Sequence, residues 1–167
     1  LVMDQPILMN EELETIRHVN HDIFQADTID ITWDVAEGPE GLEARLDALC
    51  IEAEEAIDRG FNILILSDRR AGPRRVPIPS LLAVAAVHHH LVRCGTRLSA
   101  GLVLESGEPR EVHHFAVLAG YGAEAVHPYL ALETLVELQG SLPGAIAMGP
   151  IEQRAATDWE MKQELRA

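Results

Sequence analysis

The hydrophobic pattern along the chain switches repeatedly between a helical period and the alternation or continuous apolar runs of strands. Asn10, a good N-cap type, precedes Glu11, Glu12 and Glu14, which suit the positive end of a helix dipole, so a short helix is expected within Ile7 to His21. Thr28 to Trp33 alternates strictly and is rich in β-branched residues, which predicts a strand with Ile29 and Ile31 on one face. Gly38-Pro39 and Gly41 read as a turn. From Leu42 to Arg59, the residues Leu42, Leu46, Leu49, Ile51, Ala53 and Ile57 follow a helical period, with Glu43, Asp47, Glu54 and Asp58 opposite and Gly60 as the stop.

Asn62 to Asp68 is apolar throughout its middle, as a parallel strand covered on both faces must be. A loop rich in Pro and Arg leads through Pro77-Ile78-Pro79-Ser80 into a helix over Leu81 to Cys94, ended by Gly95. Arg97 to Glu105 predicts a third strand, Pro109 to Ala119 a helix, Glu124 to Val126 a short fourth strand, and Leu130 to Leu138 its helix. Strands and helices in regular succession imply right-handed βαβ crossovers and an α/β fold with a mainly parallel sheet. Residues 1–140 are expected to form one domain. After Gly140 the turn-rich Ser141-Leu142-Pro143-Gly144 opens a tail over 141–167, with a possible last helix over Ala155 to Arg166.

Composition sharpens this picture. In 167 residues, 47% hydrophobic and only 4% aromatic, the core must be built from Leu, Ile, Val and Ala. A net charge of −14 repels phosphate polyanions, so neither nucleic acid nor an anionic membrane is an expected partner. The one dense basic run, Arg69 to Arg75, reads as a solvated loop, a salt-bridged contact or a local anion site. No stretch has the roughly 18 apolar residues that span a bilayer, and no secretory signal opens the chain, so a cytoplasmic protein is expected. Cys50 and Cys94 fall in helical patterns, where buried reduced thiols are expected. The chain opens on Leu1, which reads as a piece of something longer.

Candidate chemistry is sparse. In His88-His89-His90 neighbouring side chains point about 100° apart and do not converge on one ion. His90 and Cys94 share a helix face, but an open zinc site needs a third ligand, for which only His113-His114 offer themselves, so no metal site is expected. Ser67 and Ser106 lack the Gly-x-Ser-x-Gly elbow. Gly120-Tyr121-Gly122 is too short for a dinucleotide motif and follows a helix. No catalytic or cofactor-binding residue is therefore assigned. What remains is positional, because ligands of parallel sheets meet the loops at the strands' carboxyl ends. Those loops hold Asp68, Arg69, Ser106, Gly107 and Glu108, although helix capping and loop ion pairs require the same residue types.

Several long strings resemble the central domain of the glutamate synthase large subunit. They are Ile65-Leu66-Ser67-Asp68-Arg69, the run from Pro77-Ile78-Pro79-Ser80 through His88-His89-His90-Leu91, Gly101 to Glu108, Arg110-Glu111-Val112-His113-His114-Phe115, and Gly120-Tyr121-Gly122-Ala123. With Pro6-Ile7-Leu8 and Pro128-Tyr129-Leu130-Ala131 the resemblance covers roughly Asp4 to Gly140. It implies an enzyme that moves the amide nitrogen of L-glutamine onto 2-oxoglutarate, with two electrons from NAD(P)H or ferredoxin, to give two L-glutamate. It further implies a parent chain with a glutaminase domain, an FMN-binding (β/α) barrel carrying an iron–sulfur cluster, and a C-terminal β-helix, with an electron-donor subunit or ferredoxin as partner. The central domain is then a reduced (β/α) barrel that helps enclose an ammonia tunnel. Asp68, Arg69, Ser106, Gly107 and Glu108 become candidate tunnel or domain-contact loops. Neither FMN nor the cluster is expected in this stretch, which has two cysteines and no cluster-forming set.

Overall fold

A computed structural model describes residues 5–21 and 23–141. In chain order the elements are α1 (Asn10–Arg17), β1 (Asn20–His21), β2 (Phe24–Asp30), β3 (Thr32–Asp34), α2 (Gly38–Asp58), β4 (Ile63–Ser67) and β5 (Arg75–Pro77). Then follow α3 (Ser80–Cys94), β6 (Gly101–Glu105), α4 (Val112–Gly120), β7 (Ala125–His127) and α5 (Tyr129–Ser141). The main sheet has the order β1-β2-β4-β6-β7, with β2, β4, β6 and β7 parallel and β1 antiparallel at the edge. The expected α/β class and partial (β/α) arrangement are present: successive parallel strands are sheet neighbours, each joined to the next through a helix.

The two faces of the sheet are covered differently. Ile29, Leu64, Leu66, Leu102, Leu104 and Val126 pack with Leu49, Ala53 and Ala56 of α2, with Val84, Val87 and Leu91 of α3, and with Leu118 of α4. On the other, concave face Ile63, Ile65, Val103 and Ala125 pack with Leu8, Leu13 and Ile16. The segment before α1 lies along the outer side of β7, where the Leu8 N–H donates to Val126 O at 2.9 Å and the Val126 N–H to Pro6 O at 2.7 Å. α1 therefore runs from the β7 edge to the β1–β2 edge and covers the concave face on the way. All three large crossover helices lie on the opposite face, as in a barrel that has not closed.

Several elements differ from the sequence expectation, each for a local reason. Asn10 is the first helical residue and not the cap, because the Glu12 carboxylate reaches back to the Met9 N–H at 2.7 Å and starts the helix one residue earlier. The strand expected over Thr28 to Trp33 begins at Phe24 and is broken after Asp30, whose carboxylate accepts the Thr32 N–H at 3.0 Å. Thr32–Asp34 then pairs antiparallel with β5, a strand not anticipated within the basic loop. Gly38-Pro39 and Gly41 are the first turn of α2 and not a connecting turn. Trp33 stacks close enough to Gly41 that a Cβ there would meet its ring at 2.7 Å. Ile51 is 53% exposed, because the buried face of α2 runs through Leu49, Cys50, Ala53 and Ala56.

Arg97–Ser99 is a 3₁₀ turn with Leu98 fully exposed, so the third strand starts at Gly101. The Arg97 guanidinium holds this turn by donating to His88 Nδ1, Ala100 O, Gly122 O and Glu124 at 2.8–3.0 Å. α4 begins at Val112 and not Pro109, since the stretch before it is tied back by the Glu108 N–H to Ser106 Oγ. Of the two free cysteines Cys50 is buried as expected, but Cys94 is exposed. The chain divides into two units, Leu1–Ala131 and Leu132–Ala167. The described part of the second is the remainder of α5, where Leu135, Val136 and Leu138 are each more than half exposed. The tail helix over Ala155 to Arg166 falls outside the described residues.

Gly122 supports the packing of α3 against the turn before β7. Its φ is +109°, and a Cβ there would sit 2.2 Å from His88 Nδ1. Gly122→Ala is therefore expected to cost about 2 kcal/mol or more in urea unfolding. Gly120→Ala, at a helical position with nothing within 4 Å, is expected to be neutral or to stabilise by up to about 1 kcal/mol.

Candidate functional site

Register stacks the concave face into rows. Ala26, Ile63 and Gly101 align, then Thr28, Ile65, Val103 and Ala125, then Asp30, Ser67, Glu105 and His127. The first two rows are apolar but for Thr28. The last, at the carboxyl ends of all four parallel strands, is wholly polar. With Asn10, Glu14 and Arg17 of α1 and Arg69 and Arg70 of the loop after β4, this row lines a cleft of about 610 Å³. The mouth of the open barrel is thus a polar pocket roofed by α1.

Burial makes the row's hydrogen bonds obligatory. Glu105 is 5% exposed, and its Oε2 accepts from Ser67 Oγ at 2.5 Å and from the Arg17 guanidinium at 2.9 Å. Arg17 also donates to Thr28 Oγ1 at 2.8 Å and to Glu14 at 3.0 Å, so it links α1 to two strands. Burial opposes its charge, but the hydrogen bonds and charges of Glu105 and Glu14 outweigh this and hold its pKa above the usual value. Buried His127 shares its Nδ1 with Leu8 O at 2.9 Å, fastening β7 to the entering segment.

The loops singled out in the sequence form a second network beside this row. Asp68 is 2% exposed and accepts from Ser106 Oγ at 2.6 Å and from the Gly107 N–H at 3.2 Å. Tyr129 also hydrogen-bonds Asp68, and the Arg69 guanidinium lies 4.1 Å over the Tyr129 ring. Desolvation pushes the Asp68 pKa above its usual range, against the opposing pull of the bonds from Ser106, Tyr129 and Gly107. The same burial, and the Asp68 carboxylate, push the Tyr129 phenol upward. Exposed Glu108 accepts the Ser80 N–H at 2.7 Å, so it caps α3. All five predicted loop residues therefore gather at one end of the sheet, joined by Tyr129.

Sequence reasoning missed Arg17, Thr28, Asp30, Glu105, His127 and Tyr129. The available signal was alternation counted back from the strand ends, which puts Ser67 and Glu105 on the same face as Ile65 and Val103. The basic run is divided: Arg75 binds Asp30 and Thr32 at 2.6–2.9 Å, while Arg70 approaches Asp30 at 3.6 Å from a largely exposed position.

The histidine run also separates. His88 accepts from Arg97, and burial and the charges of Arg97 and His89 hold its pKa down. His90 instead meets Glu54 of α2 at 2.9 Å. His113 and His114, considered as completing ligands, lie along a groove with Ser80, Leu81 and Glu108. An iron–sulfur cluster does not fit a chain with two cysteines, one buried and one exposed. In the cleft the three carboxylates Glu14, Asp30 and Glu105 balance Arg17, Arg69 and Arg70, so its lining carries no net positive charge to draw a flavin phosphate.

Four parallel strands in sequential order, helices outside and a polar row at the carboxyl ends define an α/β domain of the open, partial (β/α)-barrel class. The chain belongs to the glutamate synthase central domain family, whose model matches residues 1–163. That match extends beyond Gly140, past the resemblance noted from the sequence. The chain is similar to the "Glutamate synthase [NADH]" of Saccharomyces cerevisiae, 44% identical over 140 residues, which is 83% of this chain and 6% of the relative. It is likewise similar to the "Glutamate synthase [NADPH] large chain" of Bacillus subtilis, 45% identical over 129 residues, 77% of this chain and 8% of the relative. The "Ferredoxin-dependent glutamate synthase, chloroplastic" of Spinacia oleracea is 44% identical over 137 residues, 80% of this chain and 8% of that relative. The chain thus spans less than a tenth of the relatives it matches. Among the described residues no helix is long and apolar enough to cross a membrane.

The Asp68 network has a pH signature. Its folded pKa lies above the ordinary 3.8, so the fold holds this proton more tightly than the unfolded chain does. Its contribution is most favourable below the ordinary value and is lost as pH rises through the folded pKa. In urea unfolding followed upward from about pH 3.5, wild-type stability is expected to fall relative to Asp68→Asn as pH rises, and to level off once the pH passes the folded pKa. Each tenfold difference in proton affinity is worth about 1.4 kcal/mol. A flat or rising difference would contradict the assignment.

Proposed function

We propose that this chain is the central, non-catalytic domain of a glutamate synthase. It positions the neighbouring glutaminase and FMN-binding domains and forms part of the wall of an ammonia passage between their active sites. The observation that supports this reading most is the internal commitment of the strand-end side chains. Asp68 is bound to Ser106, Gly107 and Tyr129, Glu108 caps α3, and Glu105 is held by Arg17 and Ser67. Groups bound in this way hold a surface in shape, and their hydrogen bonds are spent within the domain. The parent reaction would join L-glutamine, 2-oxoglutarate and two electrons into two L-glutamate, with FMN and the iron–sulfur cluster carried elsewhere in the parent chain. NAD(P)H or ferredoxin would supply the electrons, in the cytoplasm or, as one relative's name says of that protein, the chloroplast.

A second reading, a binding domain for a small acidic metabolite, draws on Arg17, Arg69 and Arg70 lining the cleft. The equal number of carboxylates there, Glu14, Asp30 and Glu105, counts against it.

The test belongs in a full-length enzyme. Arg69→Ala removes the cover of Tyr129, and Glu108→Ala removes the α3 cap, a loss of about 1 kcal/mol locally. Each is expected to loosen the coupling of glutamine hydrolysis to glutamate formation while ammonia-dependent and glutaminase activities survive in part. A catalytic acid or base would instead cost about 10²–10⁴ in its own step. Both half-reactions are measured side by side, and abolition of either one with the fold intact contradicts the proposal.

A further inference from the structure

α2 and α3 pack through Leu49, Ala53, Val87 and Leu91, and just beyond this core they bring three metal-ligating side chains together. His90 and Cys94 stand one turn apart on α3, and Glu54 faces them from α2. The separations are 2.9 Å from His90 Nε2 to Glu54 Oε2, 3.6 Å from Cys94 Sγ to His90 Nε2, and 3.7 Å from Cys94 Sγ to Glu54 Oε2. We propose that Glu54, His90 and Cys94 form an open, three-ligand site for a zinc ion, with water in the fourth position.

Tetrahedral zinc with bonds of about 2.3 Å to sulfur and about 2.0–2.1 Å to nitrogen and oxygen sets ligand-to-ligand edges near 3.6 Å for S–N and S–O and near 3.3 Å for N–O. Both sulfur edges already match. Only the His90–Glu54 contact must open, by about 0.4 Å, and Glu54 is a long side chain with 40% of its surface exposed. Chemistry decides the ion. One thiolate, one imidazole and one carboxylate suit borderline zinc, whereas magnesium and calcium take oxygen ligands. On binding, the Cys94 thiol gives its proton to solvent, and the imidazole proton moves to Nδ1 so that Nε2 can coordinate.

This departs from the sequence expectation of no metal, which rested on the divergence of His88, His89 and His90 and looked to His113-His114 for any ligand beyond His90 and Cys94. The third ligand comes from another helix and was invisible to spacing. Three ligands with one open position make an exchangeable site and not a closed structural one. His88 and His89 take no part: His88 is engaged by Arg97, and exposed His89 lies outside the cluster.

The test titrates the 167-residue chain, reduced and metal-free, with zinc against a chromogenic chelator, and with cobalt as a spectroscopic probe. Expected are one zinc per chain and a thiolate-to-cobalt charge-transfer band in the near ultraviolet. His90→Ala and Cys94→Ser should each weaken zinc binding at least about tenfold, since even loss of a ligand's supporting partner costs 10–100-fold. Cys94→Ser should also abolish the charge-transfer band, while His89→Ala changes neither readout. Circular dichroism of each variant checks that the fold is kept, and these surface substitutions are expected to leave it intact. No stoichiometric zinc in the wild type, equal affinity in His90→Ala and Cys94→Ser, or a cobalt spectrum without a thiolate band would overturn the proposal.

Discussion

Four parallel strands with every crossover helix on one side leave a concave apolar face that water would otherwise wet. A closed barrel solves this by filling its interior from all sides. Here the lower rows, Ile63, Ile65, Val103 and Ala125, are covered by Leu8 of the entering segment and by Leu13 and Ile16 of α1, which crosses from one sheet edge to the other. Burying each such side chain is worth about 1.5–3 kcal/mol, so the apolar rows hold α1 in place. Where the apolar rows end, Arg17 takes over by binding Glu105 and Thr28. That contact fixes where the end of α1 sits, and with it the cleft.

The strand-end chemistry follows from this arrangement. A polar row at a barrel mouth commonly serves a reaction, yet here the buried members are consumed in tying the sheet to its cover and its loops. Glu105 faces Arg17 and Ser67, His127 meets the Leu8 carbonyl, and Asp68 gathers Ser106, Gly107 and Tyr129. A domain built this way offers a fixed surface of loops to whatever packs against it. That is the property the proposed placement between two neighbouring domains requires.

The sequence was legible where one physical demand dominated. The doubly covered strand over Asn62 to Asp68 and the helix stops at Gly60 and Gly95 follow from burial and from left-handed or related backbone at glycine. It was illegible where a distant partner decided the outcome. Asp30 turns the chain out of the sheet because Thr32 bonds to it and Arg75, 45 residues away, holds both. The Leu98 segment looks like a strand by composition but is held in a 3₁₀ turn by Arg97. The five loop residues lie together at the strand ends, where position along the chain put them, but Tyr129 and Arg17, which organise the strand ends, lie in other segments. Glu54 likewise reads as the polar face of a helix until α3 is set beside it.

The Arg17–Glu105 contact, more than any surface ion pair, joins α1 to the sheet. A double-mutant cycle on Arg17→Met and Glu105→Gln, read by urea unfolding, measures that coupling directly. With the Glu105 side chain 7% and the Arg17 side chain 23% exposed, the coupling is expected to exceed the roughly 1 kcal/mol ceiling of exposed pairs. A coupling near zero would mean that α1 rests on its apolar contacts alone, and that the polar row is not what closes the concave face.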